Sequence, residues 1–424
     1  MIAWIQISYW VAASSTACIA LLLLIQTIEH RRYANSRGRR ISRKAPTDRV
    51  ALFLPCKGDD GDLEDNLRPM FVQDYPNYEL VFIVESVEDG AYKPIRRLMD
   101  AHPHRASRLV IAGLATTSGQ KVHNLLVATE NLAPETAILA FADADIRPPQ
   151  DWLRLLTQQL HKSAASTGYR RFVPKRPTLA NLIVASIDTS VVPIMFPCIH
   201  HKVWGGSWAI RRDVFEGGRM RDAWEGTLSD DLVASNVLAS LREPLALESA
   251  CILPSPIDMD MRTMLAWVRR QFIIGRFYSP YLWLVVSVGH CFTQAVFWSS
   301  VMAAIAGTVS GAPWAWQPAC VAGVLYATHV VRGWLRQTAS RVYLPYCQKE
   351  LTAARRFDIW CGPVAGLALC VALVGSAIGR RITWKDNVYE MSYGGQIRKI
   401  PSSAEAAEGV PQTTDDSADV RRAA

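Results

Sequence analysis

The stretch Ala137-Ile-Leu-Ala-Phe-Ala-Asp143-Ala-Asp145-Ile146 decides the fold, because an apolar, strand-like run ends in two carboxylates that are one residue apart. Mg²⁺ and Mn²⁺ prefer oxygen ligands and usually take one or two protein carboxylates, which leaves positions for phosphate oxygens and water. In open α/β sheets, ligands bind outside the carboxyl ends of the strands. The stretch therefore predicts a divalent-metal clamp for a diphosphate. The structural alternative is that Asp145 only begins a turn or caps the helix that starts at Asp151.

Apolar runs and amphipathic segments alternate around this stretch from residue 49 onward. They predict strands at residues 50–55, 79–84, 108–111 and 137–142, and helices near residues 63–72, 92–101, 121–130 and 151–162. Strands that alternate with helices imply right-handed crossovers and a mostly parallel sheet. The predicted fold class is therefore α/β.

Polar loops follow two of the other predicted strands. Cys56-Lys57-Gly58-Asp59-Asp60 comes after the first strand, and Glu85-Ser86-Val87-Glu88-Asp89 comes after the second. Because parallel strands end at the same edge of a sheet, we expect these loops to lie near Asp143. One acidic loop is an ordinary solvated turn, whereas three converging loops predict a crevice for a nucleotide-sugar.

The chain begins with an apolar segment, residues 2–28, that is long enough to span a bilayer and carries Trp4, Tyr9 and Trp10 as interfacial anchors. A cationic run without an acid follows it and consists of Arg31, Arg32, Arg37, Arg39, Arg40, Arg43 and Lys44. Because the cations follow the apolar core, the segment is predicted to be a retained anchor rather than a cleaved signal peptide. We therefore predict a membrane anchor at residues 1–29 and a basic juxtamembrane linker at residues 30–48, with the chain in the cytosol from there on.

Three further apolar runs, residues 281–305, 314–331 and 360–378, predict a C-terminal transmembrane region at residues 281–380. Three spans would leave the C-terminus outside, yet Arg332, Arg336, Arg341 and the pair Arg380-Arg381 favour the inside. One run is therefore expected to be re-entrant or interfacial, and the sequence does not identify which one. Residues 381–400 are expected to lie in the cytosol, and residues 401–424, rich in Ala, Ser and Asp, are expected to be disordered.

Charge and cysteine content exclude several classes of protein. The chain of 424 residues has a net charge of +8 but no basic groove interleaved with aromatic residues, which argues against a nucleic-acid partner. The nine cysteines form no Cys-x-x-Cys pair, which argues against a zinc site and a disulfide framework. Fourteen tryptophans and a slightly positive mean hydropathy favour a protein with a membrane part.

The order and spacing of several motifs resemble glycosyltransferase family 2 and, more closely, the ceramide glucosyltransferases of family 21 and their bacterial lipid-modifying relatives. The motifs are Cys56-Lys-Gly-Asp-Asp-Gly-Asp-Leu-Glu-Asp-Asn-Leu67, Gln73-Asp-Tyr-Pro-Asn-Tyr-Glu-Leu80, Glu85-Ser-Val-Glu-Asp89, Gln120-Lys-Val-His-Asn-Leu125, Ala142-Asp-Ala-Asp-Ile146, Trp204-Gly-Gly-Ser-Trp-Ala-Ile-Arg-Arg-Asp-Val214, Ser229-Asp-Asp231 and Ile382-Thr-Trp-Lys-Asp-Asn-Val-Tyr389 with Gly394-Gly395. The resemblance, which extends over residues 48–400, implies a GT-A fold, Rossmann-like and mostly parallel, at residues 49–260. It also implies a UDP-sugar donor and a lipid acceptor, with the catalytic domain on the cytosolic side of a bacterial inner membrane.

The resemblance implies roles for individual donor-binding residues. Lys57 matches the motif on the uridine side, Asp89 matches the acidic position used for the nucleobase, and Lys121 belongs to the Gln120–Leu125 motif. Asp143 matches the first acid of the metal motif. Asp145 departs from it, since the ceramide enzymes often carry Asp-Ser-Gly there, but a second carboxylate restores the clamp. The predicted ligands of Mg²⁺ or Mn²⁺ are therefore Asp143 and Asp145.

The resemblance also implies a catalytic pair. Family 2 enzymes invert the anomeric centre, so the acceptor hydroxyl needs a carboxylate opposite the departing UDP. Asp231 is then the base and Asp230 its orienting neighbour, and mutual repulsion is expected to raise the pKa of one of them. The alternative is that Ser229 and Asp230 only cap a helix at residues 232–241.

One motif departs from the family pattern. The usual Gln/Arg-x-x-Arg-Trp signature is replaced by Thr263-Met-Leu-Ala-Trp267 in the interfacial segment, residues 261–280, and only the tryptophan remains. The nearby cations and amide, Arg269, Arg270, Gln271 and Arg276, are either partners of the leaving diphosphate or juxtamembrane anchors, and both alternatives stay open. The predicted donor-binding set includes Arg270 and Gln271. Trp267, Phe272, Phe277, Tyr278 and Trp283 are expected to line an entry for lipid.

The predicted function is a membrane-bound, inverting, metal-dependent transfer of a hexose, with glucose favoured, from a UDP-sugar to a lipid hydroxyl, with a ceramide-like acceptor favoured. The alternatives are a processive polysaccharide synthase and, less favoured, a non-enzymatic membrane protein. The sequence does not predict the oligomeric state.

Overall fold

The computed structural model describes residues 2–37, 47–59, 61–195, 202–384 and 387–400. Asp60, most of the cationic part of the predicted linker (residues 38–46) and the tail at 401–424 lie outside the described residues.

The centre of the molecule is a sheet of seven strands. In chain order these are β1 (Arg49–Pro55), β2 (Tyr78–Val84), β3 (Ser107–Ile111), β4 (Thr136–Ala142), β5 (Ala165–Pro174), β6 (Ser207–Arg211) and β7 (Leu245–Ile257). Their spatial order is β3-β2-β1-β4-β6-β5-β7. Pairing is parallel from β3 through β4 and between β5 and β7, and antiparallel on both sides of β6. The prediction of a mostly parallel α/β fold is confirmed.

The helices on the two faces of this sheet are short. They are α2 (Leu63–Leu67), α3 (Tyr92–Ala101), α4 (Gln120–Ala128), α5 (Trp152–Thr157), α6 (Leu179–Val191), α7 (Arg212–Gly217), α8 (Met220–Trp224) and α9 (Asp230–Ser240). All four predicted strands and the first three predicted helices occur within two residues of the expected positions, except that the 63–72 helix ends in a 3₁₀ turn from Arg68. The fourth helix is shorter than predicted, because α5 ends at Thr157.

Two apolar layers hold the sheet. Alternating side chains of β1, such as Phe53 on one face and Leu54 on the other, enter different clusters, since successive residues of a strand point to opposite sides. Phe141 stacks on Trp208 with ring centroids 4.4 Å apart, which joins β4 to the antiparallel β6. Packing on both faces supports the sheet edge at which β1, β2 and β4 end.

The remaining helices are α1 (Ile2–Arg37), α10 (Met261–Tyr278), α11 (Pro280–Val309), α12 (Trp316–Tyr343), α13 (Thr352–Trp360) and α14 (Gly362–Ser376). In the described part of the chain, Gln6–Ser36 and α11 are long and apolar enough to cross a membrane. Helices α13 and α14 meet at 83° and form either a third, broken span or a re-entrant loop. The bend lies at Cys361, at the beginning of the predicted 360–378 run, and most of the predicted 314–331 run is the first part of α12.

A small antiparallel sheet returns the chain to the seven-stranded sheet. Its strands are β8 (Arg381–Trp384), β9 (Asn387–Met391) and β10 (Ile397–Ile400). Ile382, Tyr389 and Met391 are buried in the same cluster as Phe141 and Trp208. Residues far apart in the chain therefore complete one core.

Candidate active site

Asp143 lies directly after β4, the strand that joins the parallel and antiparallel parts of the sheet. The backbone N–H of Asp143 donates to the carbonyl of Gly206 at 3.3 Å, so the loop after β4 is held against the loop before β6. Asp145 is two residues further and exposed. The two carboxylates thus lie at the strand edge where a ligand crevice is expected.

The loops after β1 and β2 are bound to each other at the same edge. Lys57 Nζ lies 2.9 Å from Glu85 Oε2. Asp89 Oδ1 accepts the N–H of Gly58 at 2.8 Å and that of Ala91 at 2.8 Å. The predicted convergence of these loops is observed. It places Lys57 beside the loop after β2 and Asp89 beside the loop after β1.

Lys121 connects the metal-motif acid with the predicted catalytic pair. Its Nζ lies 2.7 Å from Asp143 Oδ1 and 3.1 Å from Asp230 Oδ1, and it donates to the carbonyl of Gly205 at 3.2 Å. Burial alone lowers the pKa of Lys121, but attraction to Asp143, Asp230 and Asp231 outweighs it, so the net pKa is raised. Lys121 is therefore charged at neutral pH.

Asp231 is oriented by three donors. Its Oδ2 accepts the N–H of Gly205 at 3.0 Å, and its Oδ1 accepts the hydroxyl of Ser229 and the N–H of Leu232 at 2.8 Å. Ser229 is also the N-cap of α9 and accepts the N–H of Leu232. The capping alternative is thus observed for Ser229, and it fixes Asp231 in the partly exposed first turn of α9.

Asp230 has the opposite environment, because its side chain is buried. Burial raises the pKa of Asp230 to about 7, with Lys121 opposing the rise and Asp231 and Asp143 adding to it. Its Oδ2 has no hydrogen-bond partner within the part of the chain that the structure describes. The pKa increase within the pair falls on Asp230, and burial, rather than the predicted repulsion by Asp231, is its largest cause.

Gly205 allows these acids and Lys121 to meet. A Cβ at this position would lie 3.0 Å from Lys121 Nζ, 3.1 Å from Asp230 Oδ2 and 3.2 Å from Asp231 Oδ2. Such contacts are too short for a side chain without displacing the charged groups. The Trp204-Gly205-Gly206 segment therefore brings backbone, instead of side chain, to the charged centre.

The chemistry of the two metal-motif carboxylates fits a divalent cation. Lost hydration in the crevice and repulsion by Asp143 raise the pKa of Asp145, opposed by Lys121 and Arg170. A cation between two such carboxylates would relieve this repulsion. Among the described residues no group of three or more His, Cys, Asp or Glu side chains forms a metal cage. Two carboxylates suit an ion whose other positions are left for phosphate oxygens and water.

The cations of α10 divide into two kinds. Arg269 donates to the carbonyls of Gly375 and Ile378, each at 2.8 Å, and Arg276 donates to the carbonyl of Gly379. These two arginines anchor α10 to the C-terminal end of α14. Arg270 instead lies over the ring of Trp384, with its Cζ 5.1 Å from the centroid.

Three other residues of α10 differ in outcome: the donor-binding role of Gln271 stays a prediction, and Phe277 and Tyr278 do not fit theirs. Gln271 is partly buried on α10, and the described contacts do not tie it to the acidic cluster. Phe277 and Tyr278 are buried in the catalytic core, so the expectation that they line a lipid entry is wrong. Their aromatic character serves packing, because α10 lies against the core at this end.

Arg170 on β5 is a residue that the sequence reasoning missed. Its guanidinium lies among the rings of four aromatic residues, with Cζ-to-centroid distances of 4.8 Å to Phe172, 4.9 Å to Trp267, 5.9 Å to Tyr169 and 6.0 Å to Trp204. The available signal was a pair of arginines between Tyr169 and Phe172.

Comparison with known proteins is consistent with this geometry. The family model described as glycosyl transferase family 21 matches residues 11–397. Ceramide glucosyltransferase 3 of Caenorhabditis elegans is 18% identical over 368 residues, which cover 82% of this chain and 74% of that protein. Ceramide glucosyltransferase 1 of the same organism is 26% identical over 117 residues, 28% of this chain, and the match spans only 25% of that relative's length.

Solved structures with a similar course of the chain are more distant. A mannosyltransferase from Pyrobaculum calidifontis in complex with GDP-Man and Mn²⁺ is 17% identical with a TM-score of 0.43, over 85% of this chain and 97% of that one. Glucosyl-3-phosphoglycerate synthase from Mycobacterium tuberculosis, in complex with Mn²⁺, UDP and phosphoglyceric acid, is 13% identical with a TM-score of 0.34, over 53% of this chain and 76% of that one. The family match covers most of the present sequence and therefore decides the assignment: the chain belongs to glycosyl transferase family 21 and is a sugar transferase.

Proposed function

We propose that this chain is a membrane-bound, inverting glycosyltransferase that moves a hexose, with glucose favoured, from a UDP-sugar to the hydroxyl of a ceramide-like lipid. The observation that carries the proposal is the position of Lys121 between Asp143 and Asp230. One ammonium group there joins the acid of the donor site to the acids of the acceptor site. The distance between the two halves is therefore short enough for direct transfer.

The donor half consists of the loops after β1, β2 and β4. Lys57 and Asp89 are proposed to contact the uridine, and Asp143 and Asp145 to hold Mg²⁺ or Mn²⁺. When bound, the ion neutralises charge on the diphosphate and so makes UDP a better leaving group. Lys121 contributes a further positive charge beside Asp143.

The acceptor half uses Asp231 as the base. The acceptor hydroxyl gives its proton to Asp231 while its oxygen bonds to the anomeric carbon, and the bond from that carbon to the UDP oxygen breaks. Asp231 suits this role because it is partly exposed and its two oxygens are oriented by Gly205, Ser229 and Leu232. Asp230 is buried and bound to Lys121, so it is assigned to positioning.

The path of the chain supports a lipid acceptor. Tyr278 lies at the end of α10. Its hydroxyl oxygen accepts a hydrogen bond from the N–H of Leu228 at 2.7 Å, and its backbone carbonyl accepts one from the side-chain amide of Asn236 at 2.9 Å. Both partners flank the catalytic pair, and the apolar helix α11 starts two residues after Tyr278. The base is thus fixed next to the point where the chain enters its longest C-terminal apolar helix. The cations in the C-terminal turns of α1, including Arg31 and Arg32, favour the cytosolic face for this end.

The test is transfer from a panel of labelled UDP-sugars in membranes that contain the full chain, followed by lipid extraction. Label in the organic phase is expected for UDP-glucose, and Asp231→Asn is expected to reduce it by about 10²-fold or more. Asp213→Asn is the matched control, because Asp213 is an exposed carboxylate paired with Arg211. Label found only in a soluble polymer would replace the proposal with a processive polysaccharide synthase.

A further inference from the structure

We infer that Arg170 is a phosphate-binding residue of the active site, which takes an oxyanion either from the donor diphosphate or from a lipid headgroup. The inference rests on the proposed function, which defines where the active site lies. It adds a residue that belongs to none of the sequence motifs. Four observations carry it: the aromatic surroundings, the charge balance, an unsatisfied donor and the neighbours.

The aromatic surroundings come from three separate elements. Tyr169 and Phe172 belong to β5, Trp204 precedes the Gly205 segment, and Trp267 lies on α10. Aromatic rings hold a guanidinium by its faces and leave the N–H groups at its edge for an anion. The group is therefore held in place before a ligand arrives, between the catalytic loop and the interfacial helix.

The charge of Arg170 is only partly balanced. Its nearest acid is Asp188, with Nε 3.6 Å from Oδ1, which is too long for a hydrogen bond. The other oxygen of Asp188 lies 3.8 Å from Arg171 Nη1 and accepts the N–H of Phe172 at 3.0 Å. One carboxylate thus lies beside two arginines, and it makes no hydrogen bond with Arg170.

The Nε of Arg170 is a buried donor without a hydrogen-bond partner among the described residues, and so is the Nε of Arg270. Unsatisfied buried donors are rare in folded proteins, and a bound ion or water is one explanation for them. Arg170 is close enough to Arg270 for their repulsion to lower the pKa of Arg270, after the larger effect of burial. An oxyanion between two guanidinium groups would remove this repulsion.

The neighbours of Arg170 connect it to the reaction site. Two of its aromatic partners make the connection. Its partner Trp204 precedes Gly205, whose N–H holds Asp231. Its partner Trp267 is the residue that the family signature keeps, while the exposed Ala266 stands where the signature has arginine. Arg170 therefore supplies, from a different strand, a guanidinium on the same tryptophan.

The test measures binding to the full chain in lipid nanodiscs with Mn²⁺ present. The probes are UDP, uridine, GDP and sn-glycerol 3-phosphate, and the variants are Arg170→Met, which removes the charge, and Arg170→Lys, which keeps it without the planar group. Arg176→Met is the control, because Arg176 is exposed and paired with Asp258.

If the oxyanion belongs to the donor, Arg170→Met lowers the affinity for UDP by about tenfold or more, Arg170→Lys restores part of it, and uridine binding is unchanged. If it belongs to a lipid headgroup, the loss is seen for glycerol 3-phosphate and not for UDP. Unchanged affinity for every phosphate probe overturns the inference. Should Arg170→Met not fold, Arg170→Lys binding UDP and glycerol 3-phosphate like the wild type overturns it as well.

The two proposals fail in different ways. A preference of the wild type for GDP over UDP, or the absence of labelled lipid, contradicts the proposed function, while Arg170 is still tested on the preferred nucleotide. If an Arg170→Met variant transfers sugar to lipid normally and its phosphate affinity is unchanged, the role of Arg170 is contradicted and the proposed function still holds.

Discussion

Lys121 Nζ lies 2.7 Å from Asp143 Oδ1, although the two residues belong to different β–α units of the sheet. The contact gives Asp143, the acid of the proposed donor site, a counter-charge from α4, the helix that follows β3. Because the same ammonium lies 3.1 Å from Asp230, a change at Lys121 affects both halves of the site together.

Lys121→Met is expected to lower both activity and stability. Removal of the ammonium leaves Asp143, Asp230 and Asp231 without their shared cation, and loss of a partly buried hydrogen bond between charged groups costs about 1.5–3 kcal/mol. Transfer to lipid and the thermal unfolding midpoint in detergent are the two measurements. Lys162→Met, at an exposed position, is the control and is expected to change neither. A variant with wild-type midpoint and transfer would show that Lys121 has no such role.

Asp143→Ala is expected to abolish transfer and to weaken UDP binding only when Mn²⁺ is present. The reason is that the carboxylate pair is proposed to bind the ion, which in turn binds the diphosphate. Titration of UDP with Mn²⁺ or with EDTA separates the two contributions. Asp222→Ala, at an exposed acid paired with Arg219, is the control. Equal UDP affinity in EDTA and in Mn²⁺ for the wild type contradicts the metal assignment.

Asp230→Asn is expected to flatten the pH dependence of stability. The pKa of Asp230 is about 7 in the folded chain against an ordinary 3.8, so its charged form is disfavoured by folding. Below about pH 4 both states are protonated; between about pH 4 and 7 the unfolded state loses the proton first, and stability falls as pH rises. Well above pH 7 both states have lost the proton, so the decrease in stability no longer changes with pH.

The measurement for Asp230→Asn is the unfolding midpoint from pH 4 to 8 in EDTA, compared with the wild type and with Asp213→Asn. The variant should be more stable than the wild type at pH 8 and similar at pH 4. A steeper fall with pH in the variant would contradict the assignment.

Tyr278→Phe is expected to destabilise the catalytic part. The Tyr278 hydroxyl accepts from Leu228 at 2.7 Å and donates to the Gly395 carbonyl at 2.7 Å, and both backbone groups would lose a buried partner. The expected loss is about 1–3 kcal/mol in the free energy of unfolding. Tyr281→Phe is the control, because Tyr281 is 74% exposed. Equal unfolding curves for both variants would contradict the bridging role.

The sequence predicted the parallel half of the sheet well. The strands β1, β2 and β4 are continuous apolar runs, and this pattern can be recognised in the local sequence alone. It did not predict β5 or β7, because Arg170, Arg171 and Glu248 interrupt their apolar pattern, and the partners that make burial of these residues possible come from other elements. The antiparallel β6 was missed for a related reason, since its pairing with β4 is decided by tertiary packing.

The predicted site shows the same division. Motif order identified Asp143, Asp230 and Asp231, and the structure brings them together around Lys121. Local sequence carried no sign that Arg269 binds carbonyls at the end of α14, which lies more than 100 positions later. It also carried no sign of the aromatic surroundings of Arg170, because its rings come from three elements. Contacts between distant segments depend on the fold and have no local pattern.

The return of the chain to the core through Ile382, Tyr389 and Met391 has a consequence for biosynthesis. These side chains pack with Phe141 and Trp208, yet α11 to α14 are synthesised in between. A nascent chain that stops after β7 lacks one wall of its apolar interior and the Gly395 carbonyl that Tyr278 binds. The catalytic part therefore reaches its final packing only after the last apolar helix and the small sheet that follows it have been synthesised.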